Sequence, residues 1–238
     1  MNSTADSNKP MRNINLEPLI IAARLLRPML DELVFVGGTV TGLLITDDAA
    51  GDPRPTTDVD AIAEITSYAQ YSAFGDRLKA LGFSEDLREG APVCRWVQER
   101  TTLDVIPLDE KIVGFSNRWY RAAMDTAGRM KLASDLEIRV ISAPYFVATK
   151  LDAFAGRGKG DLLGSADLED IVAVVDGRTE IVSEVEQQPN LLRAFIRAEF
   201  ASLLGVGLLD ALPGYLLPDE VSQARVGVVL ERIGRLIS

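Results

Sequence analysis

Two short apolar stretches and the turn that follows the first of them constrain this chain more than any other segment. Leu33–Val36 leads into Gly37-Gly38-Thr39, and Asp58 stands at the start of the second stretch, Val59–Ile65. Because residues i and i+2 of a strand point to the same face, Asp58 and Asp60 are expected to lie side by side. Neighbouring carboxylates repel each other unless a cation lies between them. The segment therefore predicts two strands and a site for a hard cation such as Mg²⁺.

The glycines after the first strand add a second constraint. A diglycine lets the backbone approach a phosphate closely, and a helix is predicted to begin there, over Gly38–Ile45. A loop rich in Asp, Gly and Pro is predicted over Thr46–Thr57. Taken alone, a diglycine is more often a tight turn, and a lone Asp-x-Asp pair is more often a solvated strand end. A phosphate and metal site therefore needs support from the rest of the chain.

A third aspartate, Asp104, lies inside the apolar stretch Thr102–Pro107. A carboxylate is costly to bury there without a partner, so this strand is expected beside the one that carries Asp58 and Asp60. Three converging carboxylates suit two-metal phosphoryl transfer, and one of them can accept the proton of an attacking hydroxyl. On this interpretation, Asp104→Asn stabilises the metal-free protein. The alternative is a structural carboxylate that pairs with a residue such as Arg95 on the neighbouring strand.

The residue types that the chain lacks narrow its chemistry. It has 238 residues, no His and a single Cys, Cys94. The absence of His excludes imidazole bases and Ser-His-Asp triads, and a single Cys excludes a disulfide framework and a thiolate metal site. We therefore expect chemistry based on carboxylates, Lys, Arg, hydroxyl groups and a hard metal ion, in a reducing cytoplasm.

The formal net charge of −10 bears on the partners of the chain. It argues against a general nucleic-acid-binding surface, which needs clustered positive charge, although a local basic groove is compatible with it. Carboxylates around a metal site would account for part of the excess. No apolar run reaches the roughly 18 residues that a membrane span needs, so no membrane partner is expected.

The sequence pattern changes near residue 143. Before that point strands and helices are mixed, which predicts an α/β (α+β) core over residues 1–143, with a mixed sheet flanked by helices. Within it, the polar residues 1–12 are expected to be disordered. Residues 144–238 are predicted to form a helical region that completes the site. The boundary is soft, because helices of the second half can pack on the first.

The individual elements follow from periodicity and from turn residues. Ser67 is predicted to cap a helix that Gly82 ends, and a turn near Glu99-Arg100 is predicted to join two strands. Pro144 is expected at the first position of a helix. The predicted helices are 16–30, 38–45, 67–81, 114–126, 144–155, 165–175, 180–205 and 218–236, and the predicted strands are 33–36, 59–65, 93–97, 102–107 and 136–141.

These residues resemble the signature of the nucleotidyltransferase superfamily. Gly37-Gly38-Thr39 corresponds to its phosphate turn, Asp58-x-Asp60 to its paired carboxylates and Asp104 to its third carboxylate. The chain departs from the usual pattern in having Gly-Gly-Thr instead of Gly-Ser, and in its long loop before Asp58. The resemblance implies a nucleotidyltransferase-like mixed sheet.

The second half sharpens this resemblance. The segment Lys150–Lys159 and the later Asp167-Leu-Glu-Asp170-Ile171 are similar to the lysine helix and the D-x-x-D-I/L segment of AbiEii/MenT-like nucleotidyltransferase toxins. The similarity extends from the first strand into the second half of the chain. It implies that the helical region completes the site for an NTP.

The resemblance implies a catalytic set of four residues. Asp58, Asp60 and Asp104 would hold one or two Mg²⁺ ions, and Asp104 would also act as the general base. Lys150 would reach the triphosphate of the NTP. The alternative is that Lys150 is an ordinary helical lysine exposed to solvent, with no role in the site.

The resemblance also implies a set of residues that bind the NTP, namely Gly37, Gly38, Thr39, Lys150, Arg157 and Asp167. The glycines and Thr39 would hold the β- and γ-phosphates through backbone N–H groups and a hydroxyl. Arg157 shares a helix face with Lys150 if the helix extends that far. Asp167 would orient Lys150 or the nucleotide. Alternatively, Arg157 is an ordinary charged residue in a loop. For Asp167 or Asp170, the alternative is an acidic residue that stabilises a helix N-terminus.

The expected reaction is the transfer of a nucleoside monophosphate from an NTP to an acceptor hydroxyl, with release of pyrophosphate. The resemblance implies a toxin-like enzyme of a toxin–antitoxin or phage-defence system, with tRNA as acceptor and a cognate antitoxin as partner. The net negative charge favours a small molecule or a protein as the acceptor. One alternative is therefore a small-molecule nucleotidyltransferase of the aminoglycoside type. The other is a non-catalytic nucleotide-binding module.

Overall fold

The computed structural model describes residues 14–157 and 160–238, apart from the side chain of Arg157. The prediction of disorder over residues 1–12 therefore lies outside the described residues. The strands are β1 (Leu33–Val36), β2 (Asp58–Ala63), β3 (Ser84–Glu85), β4 (Arg95–Gln98), β5 (Thr101–Pro107), β6 (Gly128–Ala133) and β7 (Leu136–Val140).

Helices account for most of the remaining described residues, and they become nearly continuous in the C-terminal part. The helices are α1 (Leu16–Leu25), α2 (Thr41–Leu44), α3 (Tyr68–Ala80), α4 (Glu110–Val113), α5 (Tyr120–Asp125), α6 (Ala143–Arg157), α7 (Ala166–Gly177), α8 (Ile181–Glu186), α9 (Asn190–Gly205), α10 (Leu208–Ala211), α11 (Glu220–Ala224) and α12 (Val226–Ile237). Short 3-10 helices span Arg27–Glu32, Gly38–Val40 and Leu212–Tyr215.

The strands form one mixed sheet in the order β3-β4-β5-β2-β1-β7-β6. The fully buried strand β1 lies antiparallel to β2 and parallel to β7. On the other side, β2 runs parallel to β5, and β5 pairs antiparallel with β4. The predicted fold class is confirmed: a mixed sheet is flanked by helices and followed by a helical C-terminal region.

The C-terminal helices share one core with the sheet. A single cluster of buried apolar side chains extends from Leu19 in α1 to Leu236 in α12. The N–H groups of Thr46 and Asp47, in the loop after α2, both donate to the carbonyl of Gly177 at the end of α7. These two hydrogen bonds connect the helical region to the loop that leads into β2. Among the described residues, none of the helices combines the length and the apolar character that a membrane crossing requires.

The helix predicted over 114–126 is wrong in its first half, because only Tyr120–Asp125 is helical. Gly114 adopts a left-handed φ of 85° and ends α4. The Asn117 side chain then accepts a hydrogen bond from the N–H of Trp119 and donates to the carbonyl of Thr149. Such local side-chain bonds compete with helix formation, and they hold 114–119 as an irregular segment.

Proline explains two further differences. The helix predicted over 16–30 ends at Leu25, and Pro28 lies in the 3-10 helix that follows. The helix predicted over 180–205 is split, because Pro189 adopts an extended ψ of 146° between α8 and α9. The strands β3 and β6 were not predicted from the sequence. They lie at the two edges of the sheet and are mostly exposed, so they lack a strong apolar alternation.

Candidate active site

Three neighbouring strands bring charged residues together on one face of the sheet. Asp60 on β2 is the register partner of Asp104 on β5, and Arg95 on β4 is the partner of Asp104 on the other side. Direct cross-strand partners point to the same face, and Asp58 shares the face of Asp60. We call Asp58, Asp60 and Asp104 the carboxylate cluster. The structure thus brings together the three carboxylates that the sequence singled out.

Arg95 neutralises part of this cluster. Its Nε donates to Oδ1 of Asp104 at 2.8 Å, and its Nη2 donates to Oδ2 of Asp104 at 2.7 Å. The same Nη2 donates to Oδ2 of Asp58 at 2.9 Å. The hydrogen bonds to Asp104 raise the pKa of Arg95 above its ordinary value. The expectation that Asp104 lacks a partner without metal is therefore wrong, and the alternative partner Arg95 is the one observed.

Asp58 is more exposed than Asp104, with 37% of its side chain exposed. One of its carboxylate oxygens accepts the bond from Arg95, and the other accepts a 2.8 Å bond from the hydroxyl of Thr56. Both oxygens of Asp58 are therefore engaged.

Gly37 makes room for Asp60. Its φ of 71° lies in the left-handed region that favours glycine, and a Cβ at this position would lie 1.9 Å from Oδ2 of Asp60. No other residue fits without moving that carboxylate. The turn that sequence analysis assigned to phosphate binding therefore also fixes the position of a cluster carboxylate.

The next two residues, Gly38 and Thr39, are buried. A Cβ on Gly38 would lie 2.9 Å from Nη2 of Arg54, so this glycine permits a close approach of the arginine. Thr39 is fully buried, and its hydroxyl has no hydrogen-bond partner among the described residues. As it stands in the fold, the Thr39 hydroxyl is not open to a phosphate.

A second charged group lies between the loop before β2 and the helices α6 and α7. Nζ of Lys150 lies 2.7 Å from Oδ2 of Asp170 and 3.1 Å from Oδ1 of Asp167. Arg54 donates to both oxygens of Asp170, at 3.0 and 3.1 Å. We call Arg54, Lys150, Asp167 and Asp170 the buried ion group. Asp170, only 1% exposed, is its centre.

The buried ion group keeps its cations charged. Burial alone would lower the pKa of Lys150, but the charges of Asp170 and Asp167 outweigh this effect and raise it. Burial also opposes the charge of Arg54, and Asp170 again outweighs it, so the pKa of Arg54 is raised. Lys150 is therefore a buried ammonium group, and the alternative of a solvent-exposed helical lysine is wrong.

The two charged groups are joined through one buried amide. Asn15 donates to the carbonyl of Arg54 at 2.9 Å and accepts a 3.0 Å bond from the N–H of Thr56. Thr56 in turn donates its hydroxyl to Asp58. The loop that carries Arg54 is thereby held in register with the strand that carries Asp58.

One cavity of about 720 Å³ gives access to both groups. Gly37, Asp60, Asp104 and Lys150 line it, and neither Asp58 nor Thr39 is part of its lining. The irregular segment 115–118 and Asp152 on α6 also line it. Arg157 lies at the end of α6, and its side chain is outside the described residues.

Cys94 also lines the cavity, next to the carboxylate cluster. Burial, and then the neighbouring charge of Asp104, raise the pKa of its thiol to about 12. The thiolate is the nucleophilic form of cysteine. Cys94 is therefore an inert thiol in the folded protein at neutral pH.

The cluster carboxylates provide the hard oxygen donors that Mg²⁺ prefers. Gly37 leaves space for the carboxylate of Asp60, and this is compatible with metal binding by Asp60. Within residues 14–157 and 160–238, however, no group of three or more His, Cys, Asp or Glu side chains is arranged to hold a metal ion. The guanidinium of Arg95 engages Asp58 and Asp104, two of the three cluster carboxylates. Asp60 and Asp104 are the cluster members that line the cavity.

Arg95 was predicted only as an alternative partner of Asp104, but one signal in the sequence pointed to it. The predicted turn at Glu99-Arg100 joins β4 and β5 through a two-residue loop, which places Arg95 opposite Asp104. The roles of Asn15 and Asp170 left no such signal. Both depend on contacts between residues far apart in the chain.

The comparisons with known proteins add little to this description. No family model matches the chain, and no curated protein matches it. Among solved structures, the crystal structure of JHP933 from Helicobacter pylori is similar over 92% of this chain and 90% of that one, at 11% identity and a TM-score of 0.44. A likeness of this degree says nothing about activity.

We predict that Asp104→Asn destabilises the protein in the absence of metal, because Arg95 loses the charged partner to which it makes two of its three hydrogen bonds. Hydrogen bonds to charged groups contribute about 1.5–3 kcal/mol each to stability, and chemical denaturation should show a loss of that order. The half-exposed Asp58 provides the control, and Asp58→Asn should cost less than about 1 kcal/mol. An increase in the stability of Asp104→Asn would restore the interpretation of an unpaired carboxylate.

We predict that Gly37→Ala is more destabilising than Gly90→Ala. Both glycines have a positive φ, which costs an L-residue about 1–2 kcal/mol. A Cβ on Gly90 has nothing within 4 Å, whereas one on Gly37 overlaps Asp60. Overpacking adds about 1–3 kcal/mol, so the difference between the two variants should be of that order in thermal or chemical unfolding. Equal losses would show that Asp60 does not lie against Gly37.

We predict that the stabilisation by Lys150 is lost only at alkaline pH. Because its pKa is raised above the ordinary 10.5, the contribution is complete below pH 10.5 and declines as the pH rises through the raised value. Lys150→Met should therefore lower the free energy of unfolding by about 3–5 kcal/mol between about pH 6 and pH 9, and by less above that range. Lys79→Met, which removes an exposed ion pair with Glu85, is the control and should have little effect. A Lys150→Met loss that grows with pH would contradict the ion group.

Proposed function

We propose that this protein is a Mg²⁺-dependent nucleotidyltransferase that moves a nucleoside monophosphate from an NTP to an acceptor hydroxyl and releases pyrophosphate. The observation that carries the proposal is a single cavity lined by Asp60, Asp104 and Lys150. Carboxylates suit a hard cation and a lysine ammonium suits a phosphate. The two kinds of charge that this reaction uses therefore face one space.

The residues of the cavity have distinct proposed roles. Asp60 and Asp104 would hold Mg²⁺, which when bound offsets the negative charge of the triphosphate and of the leaving pyrophosphate. Gly37 leaves room for the carboxylate of Asp60, which occupies the space that a Cβ would take. Asp104 is also the proposed acceptor for the proton of the attacking hydroxyl.

Lys150 is the proposed contact to the triphosphate. Lys150 lines the cavity, and its ammonium group is held by Asp167 and Asp170. Because these carboxylates keep it charged, it can act on a phosphate as a point charge at neutral pH. In this proposal Asp167 and Asp170 position the lysine, and they do not contact the nucleotide.

The resemblance to AbiEii/MenT-like toxins supports a toxin-like role with tRNA as acceptor and a cognate antitoxin as partner, in the cytoplasm. A small hydroxylated compound is a second candidate acceptor. The net charge of −10 opposes binding of a polyanion, and a cavity of about 720 Å³ lies in the size range of small-molecule sites. Both candidates use the same reaction and the same residues.

The test is incubation of the purified protein with each α-labelled NTP and Mg²⁺, in separate reactions with total tRNA, an aminoglycoside mixture and a protein extract. We predict label on one acceptor class, and a loss of about 10²-fold or more in Asp60→Asn. Asp31→Asn changes an exposed carboxylate paired with Arg129 and should keep full activity. Label on tRNA supports the toxin-like role, and label on an aminoglycoside supports the small-molecule enzyme.

Two results would overturn the proposal. Equal transfer by Asp60→Asn would remove the carboxylate cluster from the reaction. Binding of NTP without transfer to any acceptor, including the protein itself, would identify a non-catalytic nucleotide-binding module.

A further inference from the structure

Arg95 is built into the carboxylate cluster by the fold. The two-residue turn between β4 and β5 places it directly opposite Asp104, and its guanidinium makes two hydrogen bonds to that carboxylate. A third hydrogen bond links it to Asp58. Only 22% of the Arg95 side chain is exposed. The guanidinium thus occupies the region between two of the carboxylates expected to bind metal.

The charge of Arg95 is permanent. A guanidinium is not deprotonated in proteins, and its planar fork fits a carboxylate through two parallel hydrogen bonds. It therefore offsets one of the three charges of the carboxylate cluster under all conditions in which the protein is folded. One divalent cation balances the remaining two, and a second would leave the cluster with an excess of positive charge.

The orientation of the carboxylates agrees with this balance. Asp58 has both oxygens engaged, by Thr56 and by Arg95, and it does not line the cavity. Asp60 and Asp104 do line it. Arg95 therefore engages Asp58 and Asp104, whereas Asp60 and Asp104 line the cavity, so Asp104 is shared between the guanidinium and the cavity.

We propose that Arg95 takes the place of a second metal ion, so that the site binds one divalent cation, at Asp60 and Asp104. This inference rests on the proposed function, because it concerns the cation which that reaction requires. Arg95 acts through the carboxylates and is a positioning residue. It offsets the charges of Asp58 and Asp104, and each oxygen of Asp104 keeps a second lone pair for a cation.

The test counts the Mn²⁺ ions bound per chain, from the free Mn²⁺ signal in electron paramagnetic resonance during a titration of the full-length protein. The wild type is expected to bind one ion, and Arg95→Met, which keeps the bulk of the side chain and removes its charge, two. Arg95→Lys keeps one positive charge and is expected to bind one ion. Arg129→Met removes an arginine from an exposed ion pair far from the cluster and should leave the count unchanged.

A charge-matched variant keeps the test decisive if Arg95→Met does not fold. Asp58→Asn/Arg95→Met removes one charge of each sign, and it is expected to bind one ion as the wild type does. Circular dichroism establishes that each variant is folded.

The inference is overturned if the wild type binds two ions or none, or if a folded Arg95→Met still binds one. These outcomes are separate from those of the transfer assay. Two bound ions in an active wild type would remove the role of Arg95 and leave nucleotidyl transfer intact. One bound ion in a wild type that transfers no nucleotide would leave the role of Arg95 and remove the proposed reaction.

Discussion

The parallel pairing of β2 with β5 is the constraint on which the candidate site depends. It aligns Asp60 with Asp104, and the next strand adds Arg95 to the same line. The register is fixed by the core, because the buried residues Val59 and Ala61 alternate with the aspartates of β2. A slip of one residue would turn the carboxylates into the apolar interior and bring Val59 and Ala61 out of it. The same apolar packing that stabilises the sheet thus also sets the position of its charges.

A second requirement is that every deeply placed charge has a partner of opposite sign. Asp170 is nearly inaccessible to solvent, and it is compensated by Arg54 from one direction and Lys150 from another. Removal of one partner from such a group leaves an uncompensated charge, which costs far more than the group contributes to stability when complete. The loop before β2 and the helices α6 and α7 therefore depend on one another. A nucleotide that drew Lys150 toward its phosphates would have to offset the loss of this contact.

The sequence predicted those parts of the structure that short-range patterns determine. The apolar runs located β1, β2 and β5, and the alternation of Asp58 and Asp60 established that they share a face. The failures have physical causes that such patterns do not contain. Edge strands with exposed side chains lack the apolar alternation of β1, and the segment after Gly114 is held by bonds from Asn117 to a distant helix. The partnership of Arg54 with Asp170 joins residues separated by 116 positions, and no local pattern encodes it.

The arrangement of strands around β1 also determines the order in which the chain can fold. During synthesis, β1 finds its antiparallel neighbour β2 soon after both have been made, and Arg95 reaches Asp104 through a short turn. The other neighbour of β1 is β7, which pairs with it at Phe35 and Val140. Until Val140 has left the ribosome, β1 can pair only with β2, and its other edge, where β7 belongs, is unpaired. A strand that lies inside the finished sheet, between β2 and β7, is therefore an aggregation-prone edge in the nascent protein.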